Sequence, residues 1–306
     1  MKKIGLFVIA LLVSISGCSK NNNSEKQSAL LAAVAAALSG GAEGHSWPLM
    51  SSVNTAQPSS TVKLVFMHHS TGFAWLATDN GNLGQELNAN NYYVTETDYG
   101  WGPASADYGG DVIGNHTDTF DWPNWFNNST VMTQLYSNSL NSAYTNDVAV
   151  TEPGGDNEII MFKSCFPNSE VGDSIDDEQA LYNGLLTYFG AHTDKMFVLI
   201  VPPPEINIDT PALTRELANW LVASDGWLAG YGGGNVFVFD YYNVLTDPNN
   251  HHYVNGTTVE HIVRQGSSNE LRYYHGNDSH PTASGHQKAT AEFVPLLNAY
   301  YNVWKP

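Results

Sequence analysis

Short apolar runs alternate with amphipathic segments along the chain from residue 62 onward. The apolar runs predict five β-strands, at Val62–Met67, Tyr92–Thr97, Glu158–Lys163, Met196–Val201 and Val236–Tyr241. Several runs are apolar at nearly every position, which is typical of parallel strands buried on both faces. Apolar residues at helical spacing predict helices at Glu178–Phe189 and Pro211–Ala223, and a third helix at His286–Tyr300 closes the chain.

Five strands with helical crossovers predict an α/β protein, a doubly wound three-layer α/β/α sandwich with a mostly parallel five-stranded sheet of the flavodoxin-like type. We assign residues 61–306 to this single domain, which is long enough to bury a large core. The connection Asp98–Asn157 is unusually long and contains Trp101, Trp122 and Trp125. Its aromatic residues either stack on sugar rings or build a satellite core beneath the insertion.

Residues 1–18 have the organisation of an export signal. A Met-Lys-Lys start precedes the apolar run Ile4–Ile15, which is too short to span a bilayer comfortably, and small residues follow. Ile15-Ser16-Gly17-Cys18 resembles a bacterial lipobox, which implies cleavage before Cys18 and lipidation of its thiol. The alternative is an ordinary cleaved signal in which the cysteine is incidental.

Residues 19–60 are polar, with Asn-rich and Ser/Thr/Pro-rich stretches, and predict a flexible tether. Within it, the Ala-rich segment Ala29–Leu38 suits a short spacer helix or a membrane-touching segment. The lipobox resemblance implies an exported, membrane-anchored lipoprotein. Ser19 follows the lipid site in place of the Asp that retains some lipoproteins at the inner membrane, which favours the outer membrane or cell surface.

The formal net charge of −18, with 12 Lys and Arg, argues against nucleic acid as a partner, because phosphates would be repelled over the whole surface. It also means that membrane contact should come from the lipid and not from a basic patch. Cys165 is the second of 2 cysteines, so lipidation of Cys18 leaves no internal disulfide. Lying beside an apolar strand, Cys165 is interpreted as a small buried hydrophobe and not as a nucleophile.

Two distant stretches carry candidate chemistry. Ser70 follows the strand Val62–Met67, and ligands bind beyond the carboxyl ends of such strands, so its hydroxyl is a candidate nucleophile. Asp278 and His280 share a turn before the last helix, where a carboxylate can orient an imidazole that acts as a base. The plain alternatives are that Ser70 forms a turn or helix cap and that the 278–280 segment caps the last helix.

Ser70 after the first strand, Asn168 after the third, and Asp278-Ser-His280-Pro before the last helix resemble the SGNH/GDSL hydrolases over roughly residues 62–301. Two departures stand out. His68-His69 replaces the usual Gly-Asp before the nucleophile. The usual position of the acid, three residues before the histidine, is held by Asn277, so Asp278 and Asn277 both remain candidates for orienting His280.

The resemblance implies an esterase or deacetylase without a cofactor. Ser70 would attack an ester carbonyl, His280 would take its proton, and Asp278 would orient His280. The backbone N–H groups of Ser70 and Gly100 and the side-chain amide of Asn168 would bind the oxyanion, with Gly102, Gly109 and Gly110 competing for the role of Gly100. The substrate would be a small-molecule or glycan ester, and the aromatic and polar insertion at 98–157 favours O-acetyl or other acyl groups on carbohydrate over lipid esters.

Three other functions remain open from the sequence: a glycan-binding surface lipoprotein without turnover, a lipase-type esterase, and a structural lipoprotein in which Ser70 and His280 lie far apart. A catalytic metal is not predicted, because the histidines lack the spacing of a ligand motif. These histidines are His68, His69, His251, His252 and His275.

Overall fold

A computed structural model describes residues 53–141, 150–164, 174–205, 211–264 and 279–306. Several predictions lie outside these ranges: the export signal with Cys18, most of the tether, and the side chains of Cys165, Asn168, His275, Asn277 and Asp278.

Five parallel strands form the central sheet. They are β1 (Val62–Met67), β2 (Tyr92–Thr97), β3 (Ile159–Phe162), β4 (Met196–Ile200) and β5 (Val236–Phe239), in the order β2-β1-β3-β4-β5. All five predicted strands are confirmed, and three of them are shorter than predicted. This strand order is that of the flavodoxin-like doubly wound sheets.

Eight α-helices lie in the described ranges: α1 (Ser70–Leu76), α2 (Leu83–Ala89), α3 (Trp122–Phe126), α4 (Ser129–Tyr136), α5 (Asp176–Ala191), α6 (Pro211–Val222), α7 (Tyr241–Thr246) and α8 (Ala283–Trp304). The three predicted helices correspond to α5, α6 and α8. The other five have eight residues or fewer, too few for helical periodicity to stand out. Nowhere in the described ranges is a helix both long and apolar enough to cross a bilayer.

Helices cover both faces of the sheet. In β1, Leu64 and Phe66 point into an apolar cluster shared with α1, α2, α7 and α8. Val65 and Met67 point the other way, into a cluster shared with α3, α4, α5 and α6. Successive side chains of a strand face opposite sides, so a strand that is apolar throughout supplies both cores. This arrangement is compatible with a three-layer α/β/α fold.

The long insertion packs on the sheet. Trp122 and Trp125 are fully buried, and the Trp122 ring meets that of Phe162 in β3 edge-on at a centroid distance of 5.0 Å. Trp101 stacks on Trp125 at 5.3 Å. The satellite-core interpretation is therefore confirmed, and the proposal that Trp122 and Trp125 stack on sugar is wrong, because the core already encloses both rings.

An antiparallel hairpin, β6 (His251–Asn255) and β7 (Thr258–Ile262), follows α7 and was not predicted. Asp240, buried at the end of β5, attaches it to the sheet. The Asp240 carboxylate pairs with Nε2 of His261, and the backbone N–H of Asp240 donates to Nδ1 of His252 over 3.0 Å. A buried carboxylate needs such partners, because an isolated buried charge is costly.

Residues 53–60, within the predicted tether, contact the domain. The Val53 N–H donates to the carbonyl of Thr257 over 3.1 Å, and the side-chain amide of Asn302 donates to the carbonyls of Asn54 and Ala56 over 3.0 and 2.8 Å. The folded unit therefore includes residues that precede position 61.

Candidate active site

Ser70 lies where the strand order of the sheet reverses. β1 ends at Met67, His68 and His69 carry the chain outward, and Ser70 is the first residue of α1. β1 has β2 on one side and β3 on the other. Crossovers to the two sides leave a crevice at such a position, and ligands bind there in open α/β sheets. Ser70 is half-buried at this edge.

His280 reaches Ser70 from the other end of the chain. Its Nε2 lies 2.9 Å from Ser70 Oγ, although the two residues are 210 positions apart. The structure therefore brings together the two residues that the sequence suggests as nucleophile and base, and the expectation that they lie far apart is wrong. The hydroxyl can donate to Nε2 only when the imidazole proton is on Nδ1, which leaves Nδ1–H for an orienting acceptor.

Helix α8 holds His280 in place. The Thr282 hydroxyl accepts a hydrogen bond from the Gly285 N–H at 3.4 Å and so caps the helix two residues after the histidine. Further along, the indole N–H of Trp75 in α1 donates to the hydroxyl of Thr290 in α8 over 2.9 Å. The helices that carry the serine and follow the histidine are therefore attached to each other by a buried hydrogen bond.

The structure describes two of the three predicted oxyanion donors, the backbone N–H groups of Ser70 and Gly100. The Ser70 N–H belongs to the first residue of α1. Gly100 has a φ of +79°, which favours glycine, but its N–H donates to Oδ1 of Asn115 over 2.8 Å. The loop itself thus uses this N–H. The third predicted donor, Asn168, and the candidate acids Asp278 and Asn277 lie outside the described residues.

His68, which stands where the family resemblance expects glycine, is fully buried beside β2. Its Nε2 lies 2.7 Å from Oε2 of Glu96, a carboxylate that is also buried, and its Nδ1 lies 2.9 Å from the carbonyl oxygen of His69. Glu96 is the acidic residue of β2 and is buried, and a buried carboxyl group needs a hydrogen-bond partner. That partner could have been sought from the sequence, although its identity could not be read there.

His69 faces the opposite side of the chain. Its Nε2–H donates to the Gly114 carbonyl over 2.6 Å, and its ring stacks on Tyr99 at 3.9 Å. Burial lowers the pKa of His69, against the opposing effect of the Gly114 carbonyl, and the positive charge of Lys163 lowers it further. Tyr99 is 59% exposed, so this ring, and not those of Trp122 and Trp125, is available to solvent near the serine.

A second buried group lies near His280. Nδ1 of His286, in the first turn of α8, is 2.6 Å from the Tyr241 hydroxyl. Burial lowers the pKa of His286 to about 3, and the nearby Lys163 and His280 add to the effect. Lys163 is itself fully buried at the end of β3, where its Nζ donates to the Ser164 carbonyl over 2.7 Å. Sequence reasoning did not assign either residue to the site.

Two further histidines, His251 and His252, attach the hairpin to α8. His251 Nδ1 lies 2.7 Å from Oε1 of Glu292, and the His252 N–H donates to Oε2 of the same carboxylate over 2.9 Å. Over the described part of the chain, no three His, Cys, Asp or Glu side chains are grouped as ligands of a metal ion.

No protein-family model matches the chain, and no curated protein sequence matches it.

Proposed function

We propose that this protein is a serine hydrolase that cleaves acyl esters, with Ser70 as nucleophile and His280 as general base. The observation that carries the proposal is the 2.9 Å contact between Ser70 Oγ and His280 Nε2, at the edge of the sheet where the strand order reverses. A nucleophile within hydrogen-bond reach of a base is the arrangement that activates a serine hydroxyl. The SGNH/GDSL resemblance supports the same assignment.

The reaction is an acyl transfer in two halves. His280 Nε2 takes the proton of Ser70 as Oγ attacks the ester carbonyl, and it then gives the proton to the departing alcohol oxygen. Water, deprotonated by the same imidazole, releases the acid and restores Ser70. Asp278 or its neighbour Asn277 would orient Nδ1–H of His280, and the carboxylate would also support the imidazolium.

The oxyanion would be stabilised by the Ser70 N–H and the side-chain amide of Asn168. Losing one such donor typically costs about a hundredfold or more in rate. A glycine N–H from the 99–102 turn would be the third donor. The hydrogen bond of Gly100 to Asn115 would have to break for Gly100 to take that role.

The favoured substrate is a neutral acylated carbohydrate. Tyr99 stacks on His69 and is 59% exposed, and an exposed aromatic ring suits contact with a sugar. The formal net charge of −18 disfavours anionic substrates. Close to His69 the charges are mixed, because Lys163 lowers its pKa whereas Asp98 and Asp118 raise it. Lipid esters are the second candidate. The enzyme would work outside the cytoplasm, held to a membrane through lipid on Cys18.

Active-site titration with a fluorophosphonate tests the nucleophile and base without knowledge of the substrate, because the probe requires an activated serine. We expect stoichiometric labelling of the purified full-length protein, abolished in Ser70→Ala and His280→Ala. Ser284→Ala and His192→Ala are the matched controls and should label normally. A folded wild-type protein that does not label would contradict the proposal and favour a binding protein.

Substrate class is then measured with acetylated oligosaccharides and long-chain lipid esters. We expect a higher kcat/KM for the acetylated glycan, and a rise in KM for that substrate in Tyr99→Ala. Equal rates on both classes, with no effect of Tyr99→Ala, would remove the preference for carbohydrate.

A further inference from the structure

Both ring nitrogens of His68 face hydrogen-bond acceptors. A carbonyl oxygen cannot donate, so the contact from Nδ1 to the His69 carbonyl, at 2.9 Å, requires a proton on Nδ1. The other nitrogen shares a proton with the Glu96 carboxylate across 2.7 Å. The pair is buried on both sides, and so the ring has one orientation in which all of its polar atoms are satisfied.

The His69 carbonyl that receives this bond is an unusually constrained group. Besides Nδ1 of His68, it accepts the N–H of Gly72 over 2.8 Å and the N–H of Phe73 over 3.0 Å. Three donors from two directions determine where the oxygen points. Two of them come from the first turn of α1, and the third comes from a side chain attached through Glu96 to β2.

The same peptide unit contains the N–H of Ser70. A trans peptide is planar, so its N–H points opposite to its C=O, and fixing the His69 oxygen fixes the direction of the Ser70 N–H. Hydrogen bonds to a peptide oxygen also polarise the unit and strengthen its N–H as a donor. His68 thus acts on one end of the peptide whose other end carries a proposed oxyanion donor.

We propose that His68, held by Glu96, is a positioning residue that aims the Ser70 N–H at the oxyanion. The inference rests on the proposed function, since an oxyanion forms only if Ser70 attacks an ester. It assigns a purpose to the histidine that replaces the glycine expected from the family resemblance. His68 does not contact the reacting atoms itself, and its effect passes through the backbone of His69 and Ser70.

Two substitutions separate the two contacts of His68. In His68→Asn the side-chain amide stands near the position of Nδ1, so it keeps a donor for the His69 carbonyl and loses Glu96. In His68→Gln the longer amide reaches towards Glu96 and loses the His69 carbonyl. His68→Asn should therefore leave the buried carboxylate of Glu96 without its imidazole partner. His68→Gln should keep a hydrogen bond to that carboxylate.

We expect the two variants to rank oppositely in activity and in stability: His68→Gln is the less active one, and His68→Asn is the less stable one. His68→Gln should lower kcat by roughly tenfold to a hundredfold with little change in KM, because misplaced groups act mainly on the transition state. His68→Asn should keep kcat within about threefold of wild type while being the less stable variant in urea denaturation. A structural role alone would make activity follow stability, so a less active His68→Asn, or full activity in His68→Gln, overturns the inference.

A readout independent of turnover distinguishes this inference from the proposed function. In the NMR spectrum the amide resonance of Ser70 should shift in His68→Gln and stay near its wild-type position in His68→Asn. An active wild type with unchanged Ser70 resonances in both variants overturns the positioning role and leaves the hydrolase proposal standing. An inactive wild type overturns the hydrolase proposal. The role of the Ser70 N–H as an oxyanion donor then fails too, even if the Ser70 amide resonance shifts in His68→Gln.

Discussion

Three histidines, His280, His69 and His286, lie close to Ser70 or to one another, and their burial differs. His280 is half-buried and contacts Ser70 Oγ, whereas His69 and His286 are buried and engaged by Gly114 and Tyr241. Burial lowers the pKa of both His69 and His286, because a charged imidazole loses its hydration there. Near pH 7 these two rings are neutral, and they therefore do not add positive charge beside the proposed base.

Acid should destabilise the protein through two buried imidazoles. Burial lowers the pKa of both His252 and His286 from 6.5 to about 3. Below pH 6.5 the unfolded chain binds protons that the folded protein excludes, so the free energy of unfolding falls as the pH falls from 6.5 towards 3. Each group contributes a slope of about 1.4 kcal/mol per pH unit in this window. Urea denaturation at pH 7, 5.5 and 4.5 measures the fall.

The matched variants identify the source of that slope. His286→Gln should reduce the slope of the free energy of unfolding against pH by the contribution of one proton, because glutamine does not titrate. His192→Gln makes the same replacement at a half-buried histidine at the end of α5 and is the control for the substitution itself. A pH dependence that is identical in wild type and His286→Gln would contradict the assignment.

At the scale of the element, the first turn of α1 packs tightly against His68. A Cβ added to Gly72 would lie 2.3 Å from Cβ of His68, a distance that requires the backbone to move. We expect Gly72→Ala to lower the free energy of unfolding by about 1–3 kcal/mol, the usual range for overpacking. The rate of the proposed ester hydrolysis should fall as well, because the displaced turn contains Ser70.

Gly184 provides the control for this prediction. It lies exposed in α5, and a Cβ there would meet nothing within 4 Å. Gly184→Ala should therefore be neutral or stabilise by about 0.5–1 kcal/mol, the helix preference for Ala over Gly. Thermal denaturation and fluorophosphonate labelling of the two variants compare them directly. Equal effects of the two substitutions would show that contact with His68 does not matter.

For the whole molecule, the net charge of −18 makes adsorption to anionic lipid unfavourable, so membrane attachment depends on the proposed lipid. We expect Cys18→Ser to move the protein from the membrane fraction to the soluble fraction of the cells that produce it. Detergent phase partition and incorporation of labelled fatty acid measure the change.

Cys165→Ser is the matched control for lipidation. It changes the other cysteine of the chain and should leave the protein in the membrane fraction. Labelled fatty acid retained by Cys18→Ser would place the lipid elsewhere and contradict the lipobox assignment.

The sequence alone determined the five strands of the sheet, the three longer helices, and the location of Ser70 after β1. These features depend on hydrophobic periodicity, which is a local property, and strands buried on both faces are apolar throughout. The short helices, the β6–β7 hairpin and the burial of Trp122 and Trp125 were missed or left open. In these segments the pattern is too short, or is shared by a core and a binding surface.

Only the tertiary structure decided which residues meet. The contact between Ser70 and His280 joins positions 210 residues apart, and that between His68 and Glu96 joins positions 28 apart. The sequence showed candidate groups, and the resemblance to a family suggested the first pairing but not the second. Such pairs form because parallel strands bring separate loops to one edge of the sheet, and no periodicity along the chain records that juxtaposition.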